Sequence, residues 1–344
     1  LIRDIFLYSL ICVMALSLVL TGCSTNNEIQ EEVINNQKQE EVEKIKDPVG
    51  LKVGFVDGIP ALSMAKLAKE QENIQDNITI DYELIKGPDL IVSKVMNKEL
   101  DIAIVPSNLA SVVYNKSESY AVGGISGFGN LYILSRQNIS SIQDLKGKEI
   151  TTIGKGLTPD IVLQYILKVN NIDPLNDVNI TYMGGATELA PTFLSKKADI
   201  ILAPEPMIST ILFKDKTAKV QLSLNELFAE ATNSTLGFPQ TVLIVKKDII
   251  ENYPNFINKF LSEYEESINW AKNNTDLLGE YSSSLDITVS PEVLDSESMS
   301  RMNLNFILGV EMEDIYMKYM EVLLEFNPKT VGGKLPDEDI FYTK

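Results

Sequence analysis

Two kinds of hydrophobic pattern alternate along this chain. Residues 51–56 (LKVGFV) form a short, nearly unbroken apolar run, the signature of a buried strand. Ala61, Met64, Ala65 and Ala68 then recur at helical spacing and predict an amphipathic helix opened by Pro60. The same order follows twice more, with strands at 78–83 and 101–105 and helices at 90–97 and from about 107 to 114. The whole block then occurs again at an offset of about 98–100 residues, as residues 150–168 and 185–211. Pro60 falls on Pro159, Tyr82 on Tyr182, Gly87 on Gly185, Asp101 on Asp199 and Pro106 on Pro204. Each copy predicts a βαβαβα unit, which builds a parallel-rich sheet flanked by helices. Two copies predict an α/β protein of two lobes with a crevice between them.

In open α/β sheets, ligands bind at the loops that follow the carboxyl ends of the strands. Helix N-termini there offer free N–H groups and partial positive charge. In the first copy this edge holds Asp57, Gly58 and Ile59, then Pro106, Ser107 and Asn108, with Ser107 or Asn108 suited to cap the next helix. In the second copy it holds Lys155, Leu157 and Thr158, with Thr158 as the expected cap before Pro159, then Gly184 and Gly185. Glu205 stands where the first copy has Ser107. These residues are the candidate ligand wall. Between the copies, a glycine-rich stretch implies a bend or close backbone approach, read as the first crossing between lobes, with Ser126, Phe128 and Asn130 lining the hinge. It matches no phosphate-loop pattern. Residues 131–135 predict a strand, 142–147 a turn of helix, 225–238 a loop and 240–245 the returning strand. Helices are expected at 254–273, 291–308 and 312–326, with Trp270 in packing.

The first residues change the picture. After Arg3, residues 6–20 form an apolar core too short and too early for a convincing membrane span. It ends in Leu20-Thr21-Gly22-Cys23, which resembles the bacterial lipobox, in which the cysteine is lipidated. The expected plan is therefore a signal peptide over 1–22, a polar tether over 23–48, one lobe from 49–122 with 241–344, and the other from 123–240. Acyl chains, at roughly 0.8 kcal/mol per buried CH₂, would hold such a protein on the membrane. The two cysteines, Cys12 and Cys23, both precede the folded part, so no disulfide is expected.

Composition narrows the chemistry. The net charge is −18 and no basic stripe is present, which argues against nucleic acid. The chain has no histidine, the commonest metal ligand and neutral-pH general base, and no metal or cofactor is expected. Helix N-termini favour an anionic solute, whereas Asp57 and Glu205 favour one that donates hydrogen bonds. No arginine lies in the candidate loops, which lowers the case for a small oxyanion held by a bidentate guanidinium.

The lipobox, tether, doubled α/β lobes, two crossings and helical C-terminal part together resemble the solute-binding lipoproteins of ABC importers. The Asp101–Val105 strand with Pro106-Ser107-Asn108, the segment Ala203-Pro204-Glu205-Pro206 and the ending Gly332-Gly333-Lys334-Leu335-Pro336 are similar to the nitrate/sulfonate/taurine-type group, which includes thiamine-pyrimidine-precursor binders. The resemblance implies a type II periplasmic-binding fold whose lobes close by hinging over a small solute. It implies a lipid-anchored monomer on the extracytoplasmic face that delivers cargo to a permease and its ATPase, without catalysis. Two other classes share the architecture. One is a cytoplasmic enzyme like the dehydratases of menaquinone synthesis, against which the signal segment speaks; the other is a surface sensor or adhesin.

Overall fold

The computed structural model describes residues 48–71 and 74–343; the segments expected to form the signal and the tether, with the expected lipidation site Cys23, lie outside them, apart from Pro48. The first copy of the repeat gives β1 (Val49–Val56), α1 (Ile59–Glu70), β2 (Ile78–Ile85), α2 (Pro88–Met96), β3 (Ile102–Pro106) and α3 (Ser107–Ser117). After β4 (Tyr120–Phe128) and β5 (Leu131–Ser135), the second copy gives β6 (Glu149–Ile153), α4 (Thr158–Val169), β7 (Asn179–Met183), α5 (Ala186–Leu194), β8 (Ile200–Pro204) and α6 (Met207–Lys214). The sheet orders preserve the repeat. One sheet runs β11-β4-β10-β3-β1-β2 and the other β7-β6-β8-β5-β9, so β2-β1-β3 corresponds to β7-β6-β8. β1 pairs parallel with β3, as β6 does with β8. Both sheets are mixed, because β10 and β5 run antiparallel to their neighbours.

The later elements are β9 (Lys219–Ser223), α7 (Leu224–Thr232), β10 (Pro239–Lys246), α8 (Lys247–Asn252), α9 (Pro254–Asn273), α10 (Thr275–Ser284), α11 (Ser296–Met302), β11 (Leu304–Ile307) and α12 (Gly309–Phe326). Two expectations are corrected here. The loop expected at 225–238 begins as α7, whose first turn is capped by the Ser223 hydroxyl accepting from the Glu226 amide. The helix expected over 291–308 is a short 3₁₀ turn, then α11, then β11. Asn303 takes a left-handed conformation (φ 54°) that ends the helix. Leu304 and Phe306 then bury alternately as β11 pairs with β4. No helix among the described residues is long and apolar enough to cross a membrane.

The core explains how the two sheets are joined. β3, β4 and β8 are almost wholly buried, as expected for strands covered on both faces. One apolar core is continuous across both sheets, from Val105, Val122 and Val242 to Ile161, Ile166 and Leu202. Its link is an aromatic seam. Phe228 of α7 lies 5.4 Å from Phe238 and 5.9 Å from Tyr319 of α12, and Phe238 lies 5.4 Å from Tyr319 (ring centroids). A second core, of Leu189, Phe193, Ile208 and Ile211 against Leu134 and Ile201, fills the other face of the second sheet.

The chain passes from the first sheet to the second through Gly129 and Asn130, and returns at Phe238. The two passages are bound together. The buried Asn225 carboxamide accepts from the Gly129 and Phe238 amides, each at 3.1 Å, and donates to the Leu236 carbonyl at 2.7 Å. Asn303 donates to the Gly129 carbonyl at 3.0 Å.

Candidate functional site

The carboxyl edges of the two sheets meet at a cavity of about 300 Å³. From the first sheet's side come Val56, Asp57 and Gly58 after β1, Lys86 and Gly87 after β2, and Thr288 and Val289 beyond α10; Pro206, just before α6, comes from the second. Gly58 has φ 102°, a backbone conformation that favours glycine, and it turns the chain into α1. Gly58 and Gly87 precede helices without a side-chain cap, and each carbonyl accepts from amides of the first helical turn.

The charges here are already partnered. Asp57 accepts from the Gly58 amide at 2.8 Å, the Thr288 amide at 2.9 Å, the Thr288 hydroxyl and the Lys86 ammonium at 3.3 Å. Burial raises its pKa, but the Thr288 and Lys86 bonds outweigh burial and hold the carboxyl below its ordinary value. Lys86 also pairs with Asp286 at 2.9 Å, and that bond leads in raising its pKa. Ile59 is half-buried at the start of α1.

In the second sheet, the glycine loop before α4 is anchored by Asp160, which is 2% exposed. Its carboxylate accepts from the Gly156 amide, Gln164 and the Tyr182 hydroxyl, each at 2.7 Å. Lys155 lies over the Tyr182 ring at 5.3 Å, and Leu157 is 63% exposed. Thr158 is not the cap expected from the sequence. It is the first helical residue, with Leu157 at the cap position, and its hydroxyl accepts from Tyr319 at 3.3 Å. Gly184 is exposed and donates its amide to Glu188 at 2.9 Å, and Gly185 precedes α5.

The other candidates turn toward the crossings. Pro106 is half-buried. Ser107 does not cap α3; its hydroxyl donates to the Pro239 carbonyl at 2.7 Å, and its carbonyl accepts from Tyr316 at 2.8 Å. Nor does Asn108 cap the helix: it donates to the Thr330 carbonyl at 3.1 Å. Replacing Ser107 by alanine should therefore cost about 1–2 kcal/mol of stability, because it leaves the Pro239 carbonyl without this bond. Urea unfolding measures this; an unchanged midpoint would show the bond to be unimportant. Ser126 donates to Thr241 at 3.1 Å, and Phe128 is 1% exposed within the core. Asn130 is 5% exposed; its main chain accepts from the Glu205 amide at 3.0 Å, and its side-chain oxygen has no partner among the described residues.

Glu205 is buried, and its carboxylate is engaged by Arg301 at 2.5 Å and by the Ser209 amide and hydroxyl at 3.0 and 2.9 Å. Burial pushes its carboxyl up, while Arg301 and Ser209 pull it down. Asp57, Gly58 and the loop carrying Glu205 thus share one crevice, whereas Ser107, Ser126 and Phe128 serve the packing around the crossings. Lys86, Gly87, Thr288, Val289 and Arg301 were not anticipated as site residues. The Lys86-Gly87 loop was detectable, since it follows a strand at the same sheet edge; Thr288 and Arg301 had no such signal. Among the described residues, no group of three or more His, Cys, Asp or Glu is placed to hold a metal.

Comparison with known proteins agrees with this architecture. Residues 125–276 match the family model described as NMT1/THI5 like. A crystal structure of an ABC transporter from Parabacteroides distasonis is similar at a TM-score of 0.74 and 25% identity, over 87% of this chain and 100% of the other. The described residues share the two-lobed fold of periplasmic binding proteins. The periplasmic aliphatic sulphonate binding protein SsuA from Escherichia coli shares the fold of this chain, with a TM-score of 0.67 and 14% identity over 84% of this chain and 96% of that one. So does the alkanesulfonate-binding protein SsuA from Xanthomonas axonopodis pv. citri, bound to MOPS, at 0.60 and 13% over 86% and 99%. The protein YtlA of Bacillus subtilis (strain 168) is 21% identical over 232 residues, 64% of this chain and 66% of that protein, just under two thirds of its length.

Proposed function

We propose that this binding protein captures a small organic or anionic solute between its lobes and delivers it to a membrane permease driven by an ATPase. It is held at the outer face of the membrane by lipid on Cys23 and performs no chemistry on its cargo. The observation that carries this reading is the crevice where Asp57, Gly58, Lys86 and Gly87 of one lobe face Pro206 of the other. Such a site changes shape when the lobes move, so solute binding and closure are coupled. The sulfonate-binding names of structural neighbours support an anionic or sulfonate-like head group. The engagement of Arg301 with Glu205, Glu297 and Ser209 supports a small organic molecule over a bare oxyanion, since no unpaired guanidinium is offered there.

A melting-shift screen of alkanesulfonates, taurine, nitrate and aminopyrimidines tests this. One class should raise the melting temperature, corresponding to about 2.7 kcal/mol at a hundredfold excess over Kd. Mass spectrometry should recover the solute unchanged. Consumption of the solute without any partner protein, or no shift with any of these compounds, would overturn the reading.

A further inference from the structure

We propose that Arg301 is a positioning residue for lobe closure: through Glu205 it fastens the turn between β8 and α6 to the opposite lobe. Arg301 lies near the end of α11, directly before β11, and β11 belongs to the first sheet. Glu205 follows β8 of the second sheet. The guanidinium donates from Nε to Glu205 at 2.5 Å and from one terminal nitrogen to the Ser209 hydroxyl at 2.9 Å. Tyr132 of β5 donates to the Arg301 carbonyl at 2.7 Å. Three bonds therefore cross between the sheets at one residue.

Burial gives these bonds their weight. The Glu205 side chain is fully buried and that of Arg301 is 13% exposed. An ion pair removed from water this far must be fully satisfied to persist, and Ser209 supplies the remaining donors to the carboxylate. Parting the lobes breaks the bonds from Arg301 to Glu205 and Ser209 together. A cavity of about 580 Å³, between β9, α7 and α11, reaches Arg301, so water can replace the lost partners when the lobes separate. The remaining terminal nitrogen donates to Glu297 of its own helix at 2.7 Å, a contact that does not cross between lobes.

This inference rests on the reading that the lobes hinge. It is tested by electron–electron distance measurement on the full chain, with Cys12 and Cys23 changed to serine and spin labels at Phe213→Cys and Leu277→Cys. Both labelled positions are exposed, one on α6 and one on α10. The parent should give one narrow distance. Glu205→Gln keeps the shape of the side chain but not its charge, and should raise the open-to-closed ratio about tenfold or more, as loss of a bond to a charged group implies. Arg301→Leu should do the same, and Glu297→Gln should not. Superimposable distances in Glu205→Gln and the parent, a broad distribution in the parent, or an equal change in Glu297→Gln would overturn the proposal. Should Arg301→Leu not fold, Glu205→Gln decides alone. A solute-induced melting shift with unchanged distances would sink the latch and spare the solute-binding reading; changed distances without any melting shift would do the reverse.

Discussion

Replacing Gly129 by alanine is expected to destabilise the protein by about 2–3 kcal/mol, the cost of forcing one extra carbon into a filled core. A Cβ at this position would lie 2.2 and 2.3 Å from two ring carbons of Phe238 and 2.7 Å from the Asn225 carboxamide oxygen. Neither neighbour can give way easily. Phe238 is wholly buried between Phe228 and Tyr319, and the Asn225 oxygen is held by two main-chain amides. Gly129 is thus needed for space where the first crossing passes against Phe238 of the returning one and against Asn225. Equilibrium urea unfolding would measure the loss; a change under about 0.5 kcal/mol, typical of an unconstrained surface site, would refute the steric account.

Phe238→Ala should be costlier still, at about 3–5 kcal/mol, because it removes a large buried ring and leaves a void that its neighbours cannot fill. The ring touches both Phe228 of α7 and Tyr319 of α12, so its loss also unlinks the continuous core between the sheets. The two substitutions should not add. Without the Phe238 ring, the Cβ of Gly129→Ala has room on that side, and the double variant should be more stable than the sum of the singles by about 1 kcal/mol or more. Strict additivity in urea unfolding would mean that the clash lies elsewhere.

The repeat made the backbone plan legible, because strand and helix periodicities are local and each of the two blocks could be checked against the other. β11 escaped because four residues carry too little alternation to stand out from the helical segments on either side. α7 was hidden by the loop-like composition of 225–238 as a whole, of which only the first part is helical. The crowding at Gly129 was foreshadowed by the cluster of glycines, but Phe238 and Asn225, the groups it makes room for, lie far along the chain. The same holds for the site. The position of each loop follows from the strand it ends, yet the partners of its side chains do not. Asp57 meets Thr288, Ser107 meets Pro239 and Glu205 meets Arg301 only through tertiary packing. Carboxylates and hydroxyls that looked available in the sequence are therefore occupied in the fold.

The Asn225 bridge has a mechanical consequence. Two separate spans between the halves of a molecule can slide past each other and let the halves twist. Here a single oxygen holds an amide from each span, so the pair responds as one stiff ribbon. Such a ribbon flexes across its flat side far more readily than it shears. Under the proposed function, each closure of the lobes should then follow nearly the same arc, whatever solute is bound.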